Sequence, residues 1–363
     1  MRVVVKLGTS SLTDEHGVID QAALAKAAGE IAELCEQGHE VVLVSSGAVA
    51  SGLPALGLQA HDRPSDPRTL QAISAIGQVR LMQSWNAHFG DHRLVAGQVL
   101  LAPQDFMVRS QYLHARSTLE RLLELSVVPV VNENDAVADD EIRFGDNDRI
   151  ASLVAHLVRA DLLVLLTDAP GVMDADPRVA PGASLITEIV EIDHELEAVA
   201  GGAGSARGSG GMASKLAAAK MASWSGVRTV IAAADRPSVL VDAVAGTAGV
   251  GTTVLARDRR LPARKLWIAF ALPAEGRVVV DDGAVAALTR GGRSLLAAGV
   301  VGHEGEFGVD AAVEIADAGG RIVAKGLTRV DSDTLVAMAG RRSAELIDGS
   351  GEVVHRDDLV VMP

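Results

Sequence analysis

Short runs of apolar residues alternate with longer amphipathic stretches along the first 256 residues of the chain. The runs Arg2–Lys6, Glu40–Ser45 and Val127–Asn132 are rich in valine and leucine, as is typical of strands that are buried on both faces of a sheet. The stretch Asp20–Gln37 instead spaces its apolar residues as one face of a helix does. The alternation therefore predicts an α/β fold with an open, mostly parallel sheet that is sandwiched by helices.

The other predicted elements of this region follow the same alternation. Asp20 is suited to cap the helix Asp20–Gln37, and Gly38 is suited to end it. A short acidic helix is predicted near Asp193–Val199. Longer helices are predicted at about Asp66–His88, Tyr112–Leu125, Asp148–Arg159 and Met212–Ser223. Further strands are predicted at Arg93–Leu101, Asp161–Thr167 and Arg228–Ala232, before a closing tail at Gly251–Ala256.

A polar linker, Ala256–Arg264, separates this region from a stretch with a different pattern. Beyond the linker, short alternating runs and glycine turns are typical of a small β-barrel, with one short helix near Gly283–Thr289. Its strands are predicted at Val278–Val280, Ala312–Ile315, Ile322–Gly326 and Glu352–His355. We therefore expect two domains, residues 1–258 and residues 265–363, with a boundary near residue 262.

Four of the predicted strands run directly into polar residues. The polar segments at their ends are Lys6–Ser10, Ser45–Ala48, Asn132–Asp135 and Thr167–Asp168. Ligands of open α/β sheets bind outside the carboxyl ends of the strands. We therefore expect one shared site assembled from segments far apart in sequence, which is more typical of an enzyme than of a scaffold.

A glycine-rich segment, Gly201–Gly211, precedes the helix Met212–Ser223 and is predicted to be a mobile loop. Glycines allow a backbone to approach a ligand closely, and the free N–H groups of a helix N-terminus attract phosphate groups. Lys215 lies in the first turn of that helix, but Ser214 stands where a Walker A loop requires glycine. The segment suits the phosphates of a nucleotide, and a flexible surface linker is the alternative.

Lys6 is the second lysine of interest, because it closes the first predicted strand beside Gly8 and Ser10. A lysine in this position is either a solvated strand end or a cation of the site, and its neighbours favour a phosphate contact. Lys6 and Lys215 together could clamp a transferring phosphoryl group, whose charge spreads over its equatorial oxygens.

Three further segments have more than one reading. Ser45–Ala48 could bind a substrate carboxylate or serve as an ordinary helix cap. Thr167–Asp168 and the turns that follow could cradle a base and ribose or form a long loop. The third segment is an acidic cluster. It could hold Mg²⁺ through water, orient the lysines or bind a substrate ammonium group. The alternative is a solvated acidic loop. The cluster comprises Asp135, Asp139, Asp140, Glu141, Asp146 and Asp148.

Composition narrows the class of protein. The net charge of −14 argues against a polyanion-binding protein, because nucleic-acid affinity depends largely on basic residues that neutralise phosphates. The single cysteine, Cys35, excludes an intramolecular disulfide and a cysteine-based zinc site, and the histidines show no metal-binding spacing. With no signal-like segment and no apolar run of about 18 residues, we expect a soluble, cytoplasmic protein without membrane contact.

Taken in their order along the chain, six motifs resemble those of the amino acid kinase family over about residues 1–256. They are Val4–Ser10, Ser45–Ala48, Asn132–Val137, Phe144–Asp148, Leu166–Asp168 and Gly208–Lys215. The remainder resembles a PUA domain through Lys265–Phe270 and Gly292–Val300. A kinase domain followed by a PUA domain resembles the domain arrangement of those family members that phosphorylate L-glutamate.

The resemblance implies an ATP-dependent enzyme that converts the side-chain carboxylate of L-glutamate to L-glutamyl 5-phosphate. It implies that Lys6 and Lys215 stabilise the phosphoryl group in transfer and that Asp148 holds both lysines in position. It implies that glutamate is bound by Ser46, Asp135 and Asn147. It implies that ATP, with Mg²⁺, is bound by Lys6, Thr167, Asp168, Ser209, Gly210, Gly211, Met212, Ala213, Ser214 and Lys215. Ser209 and Ser214 stand where the family usually has threonine, and they keep the hydroxyl group.

The resemblance also implies the setting of the reaction. The reaction would be the first step of proline biosynthesis, with feedback inhibition by proline at or near the glutamate site. The labile acyl phosphate would pass to a downstream partner, glutamate-5-semialdehyde dehydrogenase. A homo-oligomer, either a dimer or a tetramer, is expected.

Two alternatives remain open. PUA domains commonly contact RNA, so an RNA-binding or RNA-modifying protein is one alternative. Against it, residues 265–363 carry ten basic and fifteen acidic residues, a net charge of −5, whereas RNA-binding domains generally show a basic surface. The other alternative keeps the kinase and changes the acceptor to aspartate, N-acetylglutamate, carbamate or UMP.

Overall fold

The computed structural model describes residues 1–106, 108–137, 147–176, 180, 182–193, 196–197, 211–258, 260–270, 272–342 and 351–362. The chain divides into two compact units, Met1–Arg260 and Leu261–Pro363. Each unit has its own sheet and its own hydrophobic core. None of the helices in the ranges given above combines the length and the apolar character that crossing a bilayer requires.

The first unit is built on an eight-stranded sheet. Its strands are β1 (Arg2–Leu7), β2 (Glu40–Ser45), β3 (Val95–Leu101), β4 (Val127–Glu133), β5 (Leu162–Thr167), β6 (Glu188–Ile189), β7 (Arg228–Ala233) and β8 (Thr252–Val254). The strand order is β3-β4-β2-β1-β5-β7-β8-β6. Neighbouring strands are parallel except for β7 and β8, which are antiparallel. The predicted open, mostly parallel sheet is therefore confirmed.

Helices cover both faces of this sheet. They are α1 (Thr9–Leu12), α2 (Gln21–Glu36), α3 (Ala48–Gly52), α4 (Pro67–Asp91), α5 (Arg109–Glu124), α6 (Asn147–Leu157), α7 (Met212–Trp224) and α8 (Val239–Ala245). Successive side chains of β1 point to opposite faces. Val5 joins a core that includes Leu24 of α2 and Trp85 of α4, whereas Lys6 points the other way and contacts Asp148 of α6.

Most elements begin and end within a few residues of their predicted bounds, because each combines a clear periodicity with a clear stop signal. Asp20 caps α2 by accepting the backbone N–H of Ala22, and Gly38 follows the helix with a φ of +82°. The seven-residue helix α8 was not predicted, since it is too short to show a helical period. The acidic helix expected near Asp193–Val199 lies largely outside the described residues.

The second unit contains a curled six-stranded sheet, which agrees with the expected small β-barrel-like domain. Its strands are β9 (Gly276–Val280), β10 (Leu295–Leu296), β11 (Val300–Glu304), β12 (Ala312–Ala316), β13 (Ile322–Thr328) and β14 (Glu352–Val361), in the order β10-β14-β13-β12-β9-β11. Its described helices are α9 (Ala263–Phe270), α10 (Asp282–Thr289) and α11 (Ser332–Met338). The expectation of one short helix was wrong: α10 was predicted near Gly283–Thr289, but α9 and α11 were not. α9 begins within the polar stretch Ala256–Arg264, which was interpreted as a linker.

Two glycines allow α3 and α4 to pack with their backbones in close contact. A Cβ atom at Gly77 would lie 1.7 Å from the carbonyl oxygen of Ala48, and one at Gly52 would lie 2.1 Å from that of Ile73. No side chain larger than hydrogen fits at these distances. The close contact places the start of α3, which follows β2, against the middle of α4.

We expect Gly77→Ala to lower the free energy of unfolding of the first unit by about 2 kcal/mol, because the added methyl group overpacks the helix contact. Urea unfolding followed by circular dichroism measures the change. The matched control is Gly90→Ala on the same helix, where a Cβ atom would meet nothing within 4 Å. Alanine favours helix at such a position, so the control should be neutral or slightly stabilising. Equal stability of the two variants would contradict this account of the packing.

Candidate active site

The four polar strand ends are brought together at one edge of the sheet. Strands β4, β2, β1 and β5 are consecutive neighbours and all parallel, so their carboxyl ends share that edge. In the register, Leu7 of β1 lies between Ser45 of β2 and Leu166 of β5. Segments that are more than 100 residues apart in sequence therefore surround one region.

Asp148 is the centre of a buried ionic cluster at this edge. One carboxylate oxygen, Oδ1, lies 2.6 Å from the Nζ atom of Lys6, and the other, Oδ2, lies 3.2 Å from the Nζ atom of Lys215. The side chains are 1%, 5% and 6% exposed for Asp148, Lys6 and Lys215. The Oγ atom of Ser214 lies 2.8 Å from Oδ2 and 2.9 Å from the backbone oxygen of Gly211, so its hydroxyl can donate to either.

Three elements position the cluster. Lys6 comes from β1, Asp148 from the first turn of α6, and Lys215 from the first turn of α7. The two helices are joined by a bond of 2.7 Å from the Ser152 hydroxyl to the carbonyl oxygen of Ala218. Because a buried charge is costly unless it is paired, the carboxylate and the two ammonium groups stabilise one another.

The ionisation of Asp148 follows from these contacts. Burial by itself favours the neutral acid, but the charges of Lys6 and Lys215, together with bonds from Lys6 and Ser214, outweigh it. They hold the pKa of Asp148 below its ordinary value. The site therefore carries an ionised carboxylate between two lysines.

A second polar network lies at the ends of β2 and β4. The side-chain amide of Asn147 donates to the Ser46 hydroxyl oxygen and to Oδ1 of Asn132, both at 2.9 Å. Asn132 Oδ1 also accepts the backbone N–H of Glu133, which fixes it as an acceptor and so fixes the orientation of the Asn147 amide. The side-chain oxygen of Asn147, Oδ1, is buried and has no hydrogen-bond partner among the described residues.

Asp135 lies two residues beyond the end of β4. Its Oδ2 atom accepts a hydrogen bond of 2.5 Å from the hydroxyl of Ser74 on α4. Burial raises the pKa of Asp135, while the Ser74 hydroxyl and the charge of Arg63 act in the opposite direction. Asp135 and the Ser46–Asn147 network thus place a carboxylate, a hydroxyl and an amide oxygen at the same edge.

Thr167 and Asp168 close β5 on the other side of β1. The Thr167 hydroxyl donates to Oδ1 of Asp168 at 3.0 Å. Both residues line a cavity of about 410 Å³ together with Ser10 from the segment after β1. A volume of this order is typical of small-molecule sites.

The residues predicted before α7 are described only in part. Gly211 precedes the helix in an extended conformation, and Met212, Ala213, Ser214 and Lys215 form its first turn. The backbone N–H groups of the first three have no acceptor within the helix, whereas that of Lys215 bonds to the carbonyl oxygen of Gly211 at 3.4 Å. Ser209 and Gly210 lie outside the described residues, and so do residues 201–208 of the glycine-rich segment. Four members of the acidic cluster also lie outside them: Asp139, Asp140, Glu141 and Asp146.

Two polar residues of the site had no predicted role. Ser74 and Gln78 lie on α4, and Gln78 reaches the carbonyl oxygen of Glu133 at 3.5 Å. Both are buried. Their signal in the sequence is their spacing, because residues at i and i+4 share one face of a helix with the apolar residues around them.

Comparisons with known proteins show the family of the chain. The profile of the Amino acid kinase family matches residues 1–233. The chain belongs to the amino acid kinase family. The profile of the PUA domain matches residues 276–349.

Relatives within the amino acid kinase family match almost the whole chain. The Glutamate 5-kinase of Paraburkholderia xenovorans (strain LB400) is 46% identical over 366 residues, which cover 99% of this chain and 98% of the relative. The Glutamate 5-kinase of Paraburkholderia phymatum has the same identity and coverage. Among solved structures, the carbamate kinase of Giardia lamblia bound to AMP-PNP has a TM-score of 0.51 at 20% identity and covers 70% of this chain and 98% of its own, which shows a shared fold.

We expect Asp148→Asn to lower the free energy of unfolding at neutral pH by about 3 kcal/mol, because the change removes the negative charge that both buried lysines contact. A carboxylate whose pKa is lowered by folding contributes stability above its unfolded pKa of about 3.9. That contribution is lost as the pH falls through the folded pKa.

The difference between wild type and Asp148→Asn should therefore shrink below about pH 4. Urea unfolding at pH 7, 5 and 3 measures it. Asp91→Asn, at the exposed end of α4, is the matched control and should show little change at any of these pH values. A constant difference between wild type and Asp148→Asn from pH 7 to pH 3 would mean that Asp148 does not carry the charge assigned to it.

Proposed function

We propose that the chain catalyses the transfer of the γ-phosphoryl group of ATP to the side-chain carboxylate of L-glutamate, giving ADP and L-glutamyl 5-phosphate. The observation that carries the proposal is the buried arrangement of Lys6, Asp148 and Lys215 beside the polar network of Ser46 and Asn147. Relatives named Glutamate 5-kinase, 46% identical over the length of the chain, support the same reaction.

The chemistry requires charge neutralisation more than proton transfer. The acceptor is a carboxylate that is already ionised at neutral pH, so no general base is needed. The transferred phosphoryl group spreads negative charge over its oxygens in the transition state. Lys6 and Lys215 neutralise that charge, and Asp148 holds both ammonium groups in place before the substrates arrive, so little reorganisation accompanies the reaction.

We assign the glutamate backbone to the network beside β2 and β4. The carboxylate of Asp135 and the buried side-chain oxygen of Asn147 are acceptors for the α-ammonium group. The Ser46 hydroxyl already accepts a bond from Asn147, so its proton is available to a substrate carboxylate. The acceptor and the phosphoryl donor would then meet between this network and the lysines.

We assign the nucleotide to the other side of β1. The first turn of α7 supplies backbone N–H groups and Lys215 for the phosphates, since a helix N-terminus favours anions. Thr167 and Asp168, at the end of β5 beside β1, would contact the nucleoside. Ser209 and Gly210 belong to this assignment on the family resemblance alone.

Mg²⁺ accompanies ATP in this proposal. Within the part of the chain that the structure describes, no group of three or more histidine, cysteine, aspartate or glutamate side chains could hold a metal ion. Asp148 is also a poor ligand, because its two oxygens contact Lys6, Lys215 and Ser214. The ion would therefore be held mainly by the phosphates of ATP, as is usual for Mg²⁺, which neutralises phosphate charge when bound.

The wider setting is proposed from the family resemblance. It comprises the first step of proline biosynthesis, feedback inhibition by proline near the glutamate site, and transfer of the acyl phosphate to glutamate-5-semialdehyde dehydrogenase. A dimer or tetramer and a cytoplasmic location belong to the same proposal. RNA binding by residues 265–363 is disfavoured by their net charge of −5.

Trapping with hydroxylamine tests the reaction directly. In the presence of ATP and Mg²⁺, we expect the protein to form a hydroxamate with L-glutamate and much less with L-aspartate or N-acetyl-L-glutamate. ADP release in the presence of carbamate or UMP tests the remaining acceptors, and filter binding at low salt tests RNA. Absence of a glutamate-dependent hydroxamate would refute the proposed function.

We expect Lys215→Ala to lower kcat by about 100- to 1000-fold, because it removes a charge that stabilises the transition state, while the KM for glutamate changes little. Steady-state kinetics with the hydroxamate assay measures both constants. Lys220→Met is the matched control, since Lys220 lies on the same helix and pairs with Glu197 at 2.6 Å. A wild-type kcat for Lys215→Ala would contradict the role of the two lysines.

A further inference from the structure

Ser74 lies behind the acceptor pocket and contacts one of its charged groups. Its hydroxyl donates to Oδ2 of Asp135 at 2.5 Å across 61 residues of sequence. Ser74 itself is 1% exposed, so it is out of reach of bulk solvent. A substrate ammonium group would contact the carboxylate of Asp135 in the orientation that this bond fixes.

The backbone around Ser74 is held on two sides. One turn along α4, Gly77 lies so close to Ala48 that only hydrogen fits between them, which ties α4 to the segment that carries Ser46. Also one turn along, Gln78 reaches the carbonyl oxygen of Glu133 at the end of β4. Ser74 is therefore fixed relative to both strand ends that form the pocket.

This framework gives the hydroxyl of Ser74 a definite role. We propose that Ser74 is a positioning residue that holds the carboxylate of Asp135 in the orientation and the ionised state that bind the α-ammonium group of the acceptor. The proposal rests on the glutamate kinase function proposed above. It adds Ser74 to the residues that determine binding of the acceptor. No other residue of α4 has been assigned a role in the site.

The charge state of Asp135 depends on few described groups. Burial disfavours the carboxylate, and the Ser74 hydroxyl from α4 and the charge of Arg63 favour it. Arg63 is exposed and its effect is screened by solvent, whereas the Ser74 bond is buried. Loss of the hydroxyl should therefore raise the pKa of Asp135 further and also release its side chain.

The test is steady-state kinetics of Ser74→Ala. We expect the KM for L-glutamate to rise about tenfold, the usual effect of losing a hydrogen bond to a charged group, while kcat and the KM for ATP stay within about twofold. The acidic limb of kcat/KM for glutamate should move to higher pH, because Asp135 must be ionised to bind an ammonium group. Ser74→Thr, which keeps the hydroxyl, should restore both the KM and the pH limb.

Ser84→Ala is the matched control on the same helix. Ser84 is half-buried and lies ten residues further along α4, a distance of about 15 Å, so its loss should change none of these constants. An unchanged KM and pH limb in Ser74→Ala would overturn the proposal. A parallel loss of kcat and of ATP affinity would overturn it too, because it would indicate a general structural role. Absence of glutamate-dependent activity in the wild-type protein would instead refute the proposed function. The wild-type assay therefore distinguishes that failure from a failure of the Ser74 proposal.

Discussion

The carboxylate of Asp148 is the contact on which the site depends. It reaches Lys6 on β1 and Lys215 and Ser214 on α7, and Asp148 itself lies in the first turn of α6. Two buried ammonium groups side by side would repel each other and would be poorly solvated, so a shared negative charge is a condition for placing both at one point. The position of both ammonium groups is consequently coupled to the packing of α6 and α7 against the sheet.

Much of this arrangement could be predicted from the sequence. The central strands are valine-rich and buried on both faces, which distinguishes them from the amphipathic helices between them. Parallel neighbours end at one edge, so Lys6, Ser46 and Asp135 could be expected near one another from strand ends alone. The contacts of Asp148 were less accessible, because the sequence offered orientation of the lysines as only one of several roles for the whole acidic cluster. The family resemblance had to single out Asp148 as the partner of both lysines.

Other features depend on contacts that no local pattern records. The bond from Ser74 to Asp135 spans 61 residues, and the orientation of the Asn147 amide depends on Asn132, fifteen residues earlier. The helices α8, α9 and α11, of seven or eight residues each, were not predicted, although α10, which has eight, was. About two turns carry too little periodicity to predict a helix consistently. Tertiary packing decides these features.

The place of β1 in the sheet has a consequence for biosynthesis. β1 lies between β2 and β5, and Val3 pairs with Leu162. During translation one edge of β1 can pair early with β2, whereas the other edge stays unpaired until β5 has left the ribosome. An open edge is a template for pairing with other chains, so the nascent protein needs protection over this interval. Lys6, the lysine that is synthesised first, thus reaches its final environment only after Asp148 and β5 have been made.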